Sequence, residues 1–255
     1  MKRTLQKWNG AGNDFLVDVG TAVELSIWSA PLASAVCDRV EGIGADGLLL
    51  ATLDGDRVKM TLFNSDGSMA EMSGNGIRCL AAAVHRATKA SWSSIEVSTD
   101  AGPRLVSLSL EDDQGFGSVA MGVVRLGEPL AGTLGVANVG NPHVVLYDDA
   151  AWSDAERTQK ANELSDSVGG ANIEFVTIRS DDHVAIKVHE RGVGWTQACG
   201  TGSVATATVL HALGLTGSTV VVSNPGGDLE VDLSGEQPVL AGPVAFERDV
   251  EWTLA

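Results

Sequence analysis

The sequence predicts an α+β fold of two pseudo-symmetric domains, each a mixed, mostly antiparallel β-sheet or barrel wrapped around a central apolar helix. Three observations predict it: an internal repeat of about half the chain, short strand-like runs between glycine-rich turns, and two helices that are apolar nearly all round. The 255 residues suffice for two domains of roughly 125 residues, each able to bury a core.

The repeat relates two helix starts. Cys199-Gly200-Thr201-Gly202 precedes one apolar helix and Ser73-Gly74-Asn75-Gly76 precedes the other, at an offset of 126 residues (199 − 73). Asn141 follows Asn13 at the similar offset of 128 (141 − 13). We therefore expect the two halves of the chain to share one design.

Strands are indicated where apolar and polar residues alternate between turn residues. Examples of such runs are 58–63, 95–98, 104–110, 117–123, 143–147, 173–178, 184–189, 219–223 and 229–233. Helices are indicated at 27–37, 75–88, 155–167 and 201–213. Gly214 supplies a stop signal beyond the last helix.

The boundary between the domains is expected near 127–134. This gives an N-terminal domain of residues 1–127 and a C-terminal domain of residues 128–255. The sequence leaves open whether the last strand crosses back to the N-terminal domain.

The charge and cysteine content exclude several classes of protein. With 17 basic and 33 acidic residues the net charge is −16, so nucleic acid and anionic membrane surfaces are not expected partners. No apolar run approaches the roughly 20 residues that span a bilayer, and no apolar signal core follows Met1. Three cysteines fit neither a disulfide framework nor a zinc pattern, so we expect reduced thiols, no metal and a cytoplasmic location.

Cys199 is the candidate base. A helix start preceded by Gly-x-Gly leaves backbone N–H groups unpaired and carries a partial positive charge, which favours a bound carboxylate. The same field is expected to lower the pKa of Cys199 and favour its thiolate. The alternative is a packed free cysteine, but the internal repeat favours a functional one. Cys79 lies six residues after Ser73, roughly 240° round the helix, so core packing is expected for it, and for Cys37 as well.

Polar residues gather before each helix. Asn64 and Glu190 hold equivalent places in the repeat. Arg191 offers a fork suited to a carboxylate, and Glu190 could hold an ammonium group; a surface ion pair is the alternative. The segments around Asn13 and Asn141 also read as ordinary turns. No phosphate-loop lysine and no dinucleotide-binding glycine pattern is present, so no nucleotide cofactor is expected.

These residues resemble diaminopimelate epimerases, a pyridoxal-independent family of amino-acid isomerases, nearly from end to end. The blocks that carry the resemblance are Gly10-Ala-Gly-Asn-Asp-Phe15, Gly42-Ile-Gly-Ala-Asp-Gly47, Phe63-Asn-Ser-Asp-Gly-Ser68, Glu71-Met-Ser-Gly-Asn-Gly-Ile-Arg-Cys79, Gly140-Asn-Pro-His143, Asn172-Ile-Glu-Phe175 and Glu190-Arg-Gly-Val-Gly-Trp-Thr-Gln-Ala-Cys-Gly-Thr-Gly202.

The resemblance implies a two-base epimerisation of LL-2,6-diaminopimelate to the meso form, in lysine biosynthesis, with two domains closing over the substrate and no cofactor or metal. It implies acid/base roles for Cys199 and for the position of Ser73. The backbone of Gly74, Asn75, Gly200 and Thr201 would hold the reacting carboxylate, and His143 would assist near the thiols. The remaining substrate-binding residues would be Asn13, Asn64, Asn141, Asn172, Glu190 and Arg191. The family resemblance also allows a homodimer.

Two departures from the family pattern bear on activity. The family usually has cysteine where this chain has Ser73, and glutamate where it has Trp195. A serine hydroxyl is a far weaker acid than a thiol, so it suits two-way proton transfer poorly near neutral pH. Ser73 is therefore an engineered substitution, a natural divergence with altered chemistry, or the mark of a silent protein; Trp195 favours natural divergence.

Three hypotheses follow for the function. The first is diaminopimelate epimerisation, with activity impaired or altered by Ser73. The second is a related racemase or dehydratase with another substrate, since one base suffices for elimination. The third is a catalytically silent amino-acid binder. All three take a small amino-acid ligand.

Overall fold

The computed structural model describes residues 2–89 and 91–253, and the chain separates into two units. Unit 1 runs to Val119 and resumes at Gly242, whereas unit 2 is the segment Ala120–Ala241. Residues 120–127 thus group with unit 2, and the segment from Gly242 groups with unit 1. No helix in the described part of the chain is long and apolar enough to cross a membrane.

Unit 1 contains three helices and most of the N-terminal strands. Its elements are β1 (Lys2–Gly10), β2 (Asn13–Gly20), α1 (Ala22–Leu25), α2 (Ala30–Cys37), β3 (Gly47–Asp54), β4 (Arg57–Asn64), β5 (Met69–Ala70), α3 (Gly74–Thr88), β6 (Ser94–Thr99), β7 (Gly102–Glu111) and β8 (Gln114–Ala120).

The elements that follow build unit 2, and the last strand begins there and ends in unit 1. They are β9 (Arg125–Gly127), β10 (Gly135–Asn138), β11 (Pro142–Tyr147), α4 (Asp154–Ser167), β12 (Asn172–Ile178), β13 (His183–Glu190), β14 (Gly194–Thr196), α5 (Gly200–Ala212), β15 (Thr219–Asn224), β16 (Gly227–Asp232) and β17 (Val239–Thr253).

Unit 1 is a closed ring of eight strands around α3. Antiparallel pairs β1–β2, β3–β4, β6–β7 and β7–β8 are joined by the parallel pairs β2–β3 and β4–β6. Strand β17 pairs with β8 and with β1, which closes the ring. Helix α3 contacts β1, β2, β3, β6 and β7, and every residue from Gly74 to Val84 is buried. A helix enclosed on all sides needs small, apolar side chains, which explains its run of alanines.

Unit 2 repeats these pairings around α5. Strands β10–β11, β12–β13 and β15–β16 pair antiparallel, while β11–β12 and β13–β15 pair parallel. Helix α5 contacts β10, β11, β12, β15 and β16. It ends before Gly214, whose φ of 69° is the left-handed conformation that the predicted stop signal requires. The same order of elements in both units confirms the predicted pseudo-symmetric α+β fold.

Strand register brings the polar segments of each unit to the start of its helix. In unit 1, Phe15 pairs with Gly47, and Gly47 pairs with Asn64. In unit 2, His143 pairs with Asn172 in the equivalent parallel ladder. Residues far apart in sequence therefore lie at one end of each ring.

Candidate active site

Cys199 caps the N-terminus of α5. Its backbone is extended, and its Sγ accepts a hydrogen bond from the Gly202 N–H at 3.3 Å. A Cβ at Gly202, in the first turn of α5, would lie 2.8 Å from Glu174 Oε1, so a side chain there would force this carboxylate to shift. Glycine at this position thus allows the carboxylate to approach the helix start closely.

Ser73 caps α3 in the same way. Its Oγ accepts a hydrogen bond from the Gly76 N–H at 3.0 Å. Both helices therefore begin with a small nucleophile-type side chain bonded to the third helical N–H, the arrangement that stabilises helix N-termini. The predicted equivalence of positions 73 and 199 is present in the backbone geometry of each unit.

In unit 2 a chain of hydrogen bonds runs from the protein interior to Cys199. His143 Nδ1 lies 2.6 Å from Glu174 Oε1, and its Nε2 lies 2.9 Å from Asn141 Oδ1. Asn141 Nδ2 reaches Thr201 Oγ1 at 3.4 Å, and that hydroxyl lies 3.5 Å from Cys199 Sγ. Four residues predicted as site residues are connected here, together with Glu174.

In unit 1 the corresponding polar residues are connected differently. Asn75 Nδ2 donates to Asn13 Oδ1 at 2.7 Å, and Asn13 Nδ2 donates to Asp46 Oδ2 at 3.2 Å. The buried guanidinium of Arg78 donates to Asn75 Oδ1 at 3.1 Å and to the carbonyl of Gly74 at 2.8 Å. The Asn75–Asn13 bond is the counterpart of the Thr201–Asn141 bond.

The pKa of Cys199 departs from the expectation. Burial raises the pKa of this thiol well above its ordinary value, and the Glu190 and Glu174 carboxylates raise it further. Hydrogen bonds from Thr201 and from the Gly202 N–H act in the opposite direction. The expected lowering is therefore wrong for this arrangement, because desolvation outweighs the field of the helix N-terminus. Cys199 is a thiol near neutral pH here.

Glu190 lies beside this thiol. Burial raises the pKa of its carboxyl, and hydrogen bonds from Thr196 and Cys199 oppose that rise. Thr196 Oγ1 donates to Glu190 Oε1 at 2.7 Å. The Glu190 carboxylate is thus held in place by Thr196 of strand β14, beside the Cys199 thiol.

The other predicted site residues lie near the same ends of their units. Asn172 is buried and accepts a hydrogen bond from the Arg191 backbone N–H at 2.9 Å. The guanidinium of Arg191 is exposed and reaches the Gly170 carbonyl at 3.4 Å. In unit 1, Asn64 donates to Ser68 Oγ at 3.0 Å. These contacts leave the Arg191 guanidinium accessible to a ligand carboxylate.

Glu174 was not among the predicted site residues. It is fully buried in strand β12, between the apolar residues Ile173 and Phe175. A charged residue in the middle of such a strand requires a buried partner, and that sequence feature could have identified it.

Trp195 lies against aromatic side chains of unit 2. Its Nε1 donates to Thr158 Oγ1 at 3.0 Å, and its ring lies 5.6 Å from Phe175 and 5.2 Å from His189. These contacts hold the side chain against β12, β13 and α4. The residue remains 40% exposed.

Cys37 and Cys79 agree with core packing. Their exposures are 1% and 0%, and burial raises the pKa of each thiol to about 12. Across residues 2–89 and 91–253, no three His, Cys, Asp or Glu side chains converge in a way that could hold a metal ion.

Comparison with known proteins agrees with this arrangement. The family model described as diaminopimelate epimerase matches residues 6–127 and 135–247. A diaminopimelate epimerase of Desulforudis audaxviator is 35% identical over 98% of this chain and 99% of its own. That of Rhodococcus jostii is 37% identical over 93% and 92%.

The fold is also shared with a more distant solved structure. A hydroxyproline epimerase from Agrobacterium vitis matches with a TM-score of 0.73 at 15% identity, over 98% of this chain and 92% of that one. At that identity the likeness concerns the fold alone. The family match and the relatives cover nearly the whole sequence, and the chain belongs to the diaminopimelate epimerase family.

Proposed function

We propose that this protein epimerises LL-2,6-diaminopimelate to the meso form by proton transfer at the α-carbon, without a cofactor. The observation that carries the proposal is Cys199 at the start of α5, in a chain that matches diaminopimelate epimerases over nearly its full length. Backbone N–H groups without an intrahelical partner, at such a helix start, suit a substrate carboxylate.

Cys199 is assigned the acid/base role on one face of the α-carbon. Cys199 reacts through its thiolate, which is the minor form at neutral pH. In the forward step the C–H bond breaks, its proton goes to this thiolate sulfur, and the electron pair moves into the carboxylate. Delivery of a proton to the opposite face then completes inversion. Helix N-terminal N–H groups stabilise the negative charge that develops on the carboxylate oxygens.

Ser73 is assigned the partner position. Its hydroxyl is held by the Gly76 N–H, as Cys199 is held by that of Gly202. An alcohol has a much higher pKa than a thiol, so it accepts or delivers a proton slowly. The proposal therefore includes reduced turnover compared with an enzyme that has a thiol at both positions.

Substrate recognition is assigned to the remaining polar residues. Arg191 would pair with the distal carboxylate and Glu190 with an ammonium group, since a guanidinium fork and a carboxylate suit these partners. Asn13, Asn64, Asn141 and Asn172 would supply amide hydrogen bonds. The three free thiols suit a reducing compartment, and we assign the protein to the cytoplasm.

A single thiol also suits elimination, which needs one base and a leaving group. Loss of water from a β-hydroxy amino acid is therefore the second candidate function, and the presence of Ser73 opposite one thiol in the repeat favours it.

Chiral separation of the products tests the proposal. LL-diaminopimelate is incubated with the wild-type protein and with Ser73→Cys. Meso product from both, faster with the variant, is the expected result. No meso product from either protein contradicts the proposal, and water loss from a β-hydroxy amino acid under the same conditions would establish the second candidate instead.

A further inference from the structure

The two helix starts differ in more than the residues at positions 73 and 199. In the parallel ladder of unit 1, Phe15 pairs with Gly47, two residues before Leu49. In the equivalent ladder of unit 2, His143 pairs with Asn172, two residues before Glu174. Phe15 and Leu49 of unit 1 therefore correspond to His143 and Glu174 of unit 2. A Cβ at Gly76 would meet Leu49 Cδ2 at 3.4 Å, and one at Gly202 would meet Glu174 Oε1 at 2.8 Å.

The pair His143 and Glu174 therefore takes the place of an apolar pair. Both side chains are 0% exposed. Glu174 Oε2 has no hydrogen-bond partner within the described part of the chain, so the single close donor to this carboxylate is His143. A carboxylate that stays ionised when buried with one donor is costly unless that donor carries the compensating positive charge. This favours an imidazolium over a neutral imidazole at position 143.

The contact of the other ring nitrogen, Nε2, also requires a proton on that nitrogen. Asn141 donates through its Nδ2 to Thr201 Oγ1, so its Oδ1 faces His143 Nε2 at 2.9 Å. An amide oxygen only accepts hydrogen bonds, so His143 Nε2 is the donor. With Asn141 donating to Thr201 Oγ1, the hydroxyl proton of Thr201 is free to point at Cys199 Sγ, 3.5 Å away.

In unit 1 the corresponding hydrogen bonds have the opposite direction. There Asn75, at the helix start, donates to Asn13, and Asn13 donates to the Asp46 carboxylate. Ser73 receives the Gly76 N–H alone among the described contacts. In unit 2 the donors run toward the cap, and Cys199 receives the Thr201 hydroxyl in addition to the Gly202 N–H.

We propose that Glu174 is a positioning residue that holds His143 doubly protonated and thereby directs a chain of donors, from His143 through Asn141 and Thr201, onto the sulfur of Cys199. This inference rests on the proposed role of Cys199 in α-proton transfer. The chain stabilises the thiolate over the thiol, because a sulfur anion accepts the Thr201 hydrogen bond more strongly. It opposes the effect of the Glu190 carboxylate, which faces the same thiol.

Nitrogen-15 NMR of the histidine rings tests the protonation state without any substrate. The His143 signals are identified by their loss in His143→Asn. We expect both ring nitrogens of His143 to be protonated at pH 7.5 in the wild type and only one in Glu174→Gln. A singly protonated His143 in the wild type, or an unchanged ring in Glu174→Gln, overturns the inference.

Solvent exchange of the substrate α-proton tests the effect on chemistry. We expect kcat for exchange to fall by about 10²-fold in Glu174→Gln and in Glu174→Leu, which installs the unit 1 residue, with KM little changed. Glu230→Gln, at an exposed position of β16, is the control. A correctly folded Glu174→Gln with unaltered kcat overturns the inference. If the wild type exchanges no α-proton, the proposed function fails, and the NMR result alone decides the state of His143.

Discussion

Glu174 Oε1 lies 2.6 Å from His143 Nδ1, with both side chains fully buried, whereas the equivalent ladder of unit 1 places Leu49 and Phe15 at these positions. The chain thus has two helix starts with the same backbone geometry and different electrostatics. One half has a thiol and a buried histidine bonded to a carboxylate; the other has a hydroxyl, with Phe15 and Leu49 in place of the histidine and the carboxylate. Proton removal by a thiolate suits the first half.

Ser73→Cys is expected to raise turnover by about 10²-fold or more, because a thiol has a pKa far closer to neutral than an alcohol. The measurement is the initial rate of meso-diaminopimelate formation. Ser94→Cys, an exposed serine in β6, controls for the addition of a thiol. An unchanged rate in Ser73→Cys would count against the two-base assignment.

Cys199→Ala is expected to abolish both epimerisation and α-proton exchange, since no other thiol can take its place. Cys37→Ala is the control: its thiol is buried in unit 1 core packing, so we expect a lower melting temperature with exchange retained. Activity that survives in Cys199→Ala would remove Cys199 from the site.

The pH dependence of Cys199 alkylation reports its pKa in the free protein. Because burial and the nearby carboxylates raise that pKa, the thiolate fraction at neutral pH is small and the alkylation rate should rise about tenfold per pH unit well into the alkaline range. Glu190→Gln removes one negative charge beside the thiol, so the curve should move to lower pH. The protein is treated with iodoacetamide, and mass spectrometry of the peptide that contains Cys199 gives the alkylation rate. A rate that reaches a plateau below pH 7 would contradict the raised pKa.

Gly202→Ala is expected to destabilise unit 2 by about 1–3 kcal/mol, because the new methyl group would collide with Glu174 Oε1. Thermal unfolding measures the change. Gly217→Ala is the matched control, since a Cβ there meets only the Asp181 carbonyl at an ordinary 3.7 Å. Equal stability of the two variants would show that the carboxylate can move aside.

Much of this fold could be predicted from the sequence because the same pattern of elements occurs twice, so each half of the chain supports the assignment of the other. The apolar runs after Ser73 and Cys199 identified both enclosed helices, and Gly214 marked the end of one of them. Strands β1 and β3 are not among the runs indicated by alternation. Strand β1 has charged residues Lys2, Arg3 and Lys7, which obscure its alternation. Arg3 and Lys7 lie inside because they pair with Asp18 and Asp14.

The site was less accessible to sequence reasoning. The polar segments around Asn13, Asn141 and Glu190 were identified, but their mutual contacts depend on strand register, which no local pattern encodes. The predicted shift in the pKa of Cys199 had the wrong direction. The sequence reveals the helix start, which lowers this pKa, but not the burial around it, which raises it. The contact of Glu174 was missed because its partner, His143, lies 31 residues away on the neighbouring strand.

Proton NMR of LL-diaminopimelate with the wild-type protein in deuterium oxide tests the central claim most directly. We predict loss of the α-proton signal at one centre, with meso product that has deuterium there. That result would establish removal and redelivery of the α-proton at one centre, and it would require a working partner for Cys199, for which Ser73 is the first candidate. An α-proton signal that persists at both centres, with no meso isomer formed, would contradict the proposed epimerisation.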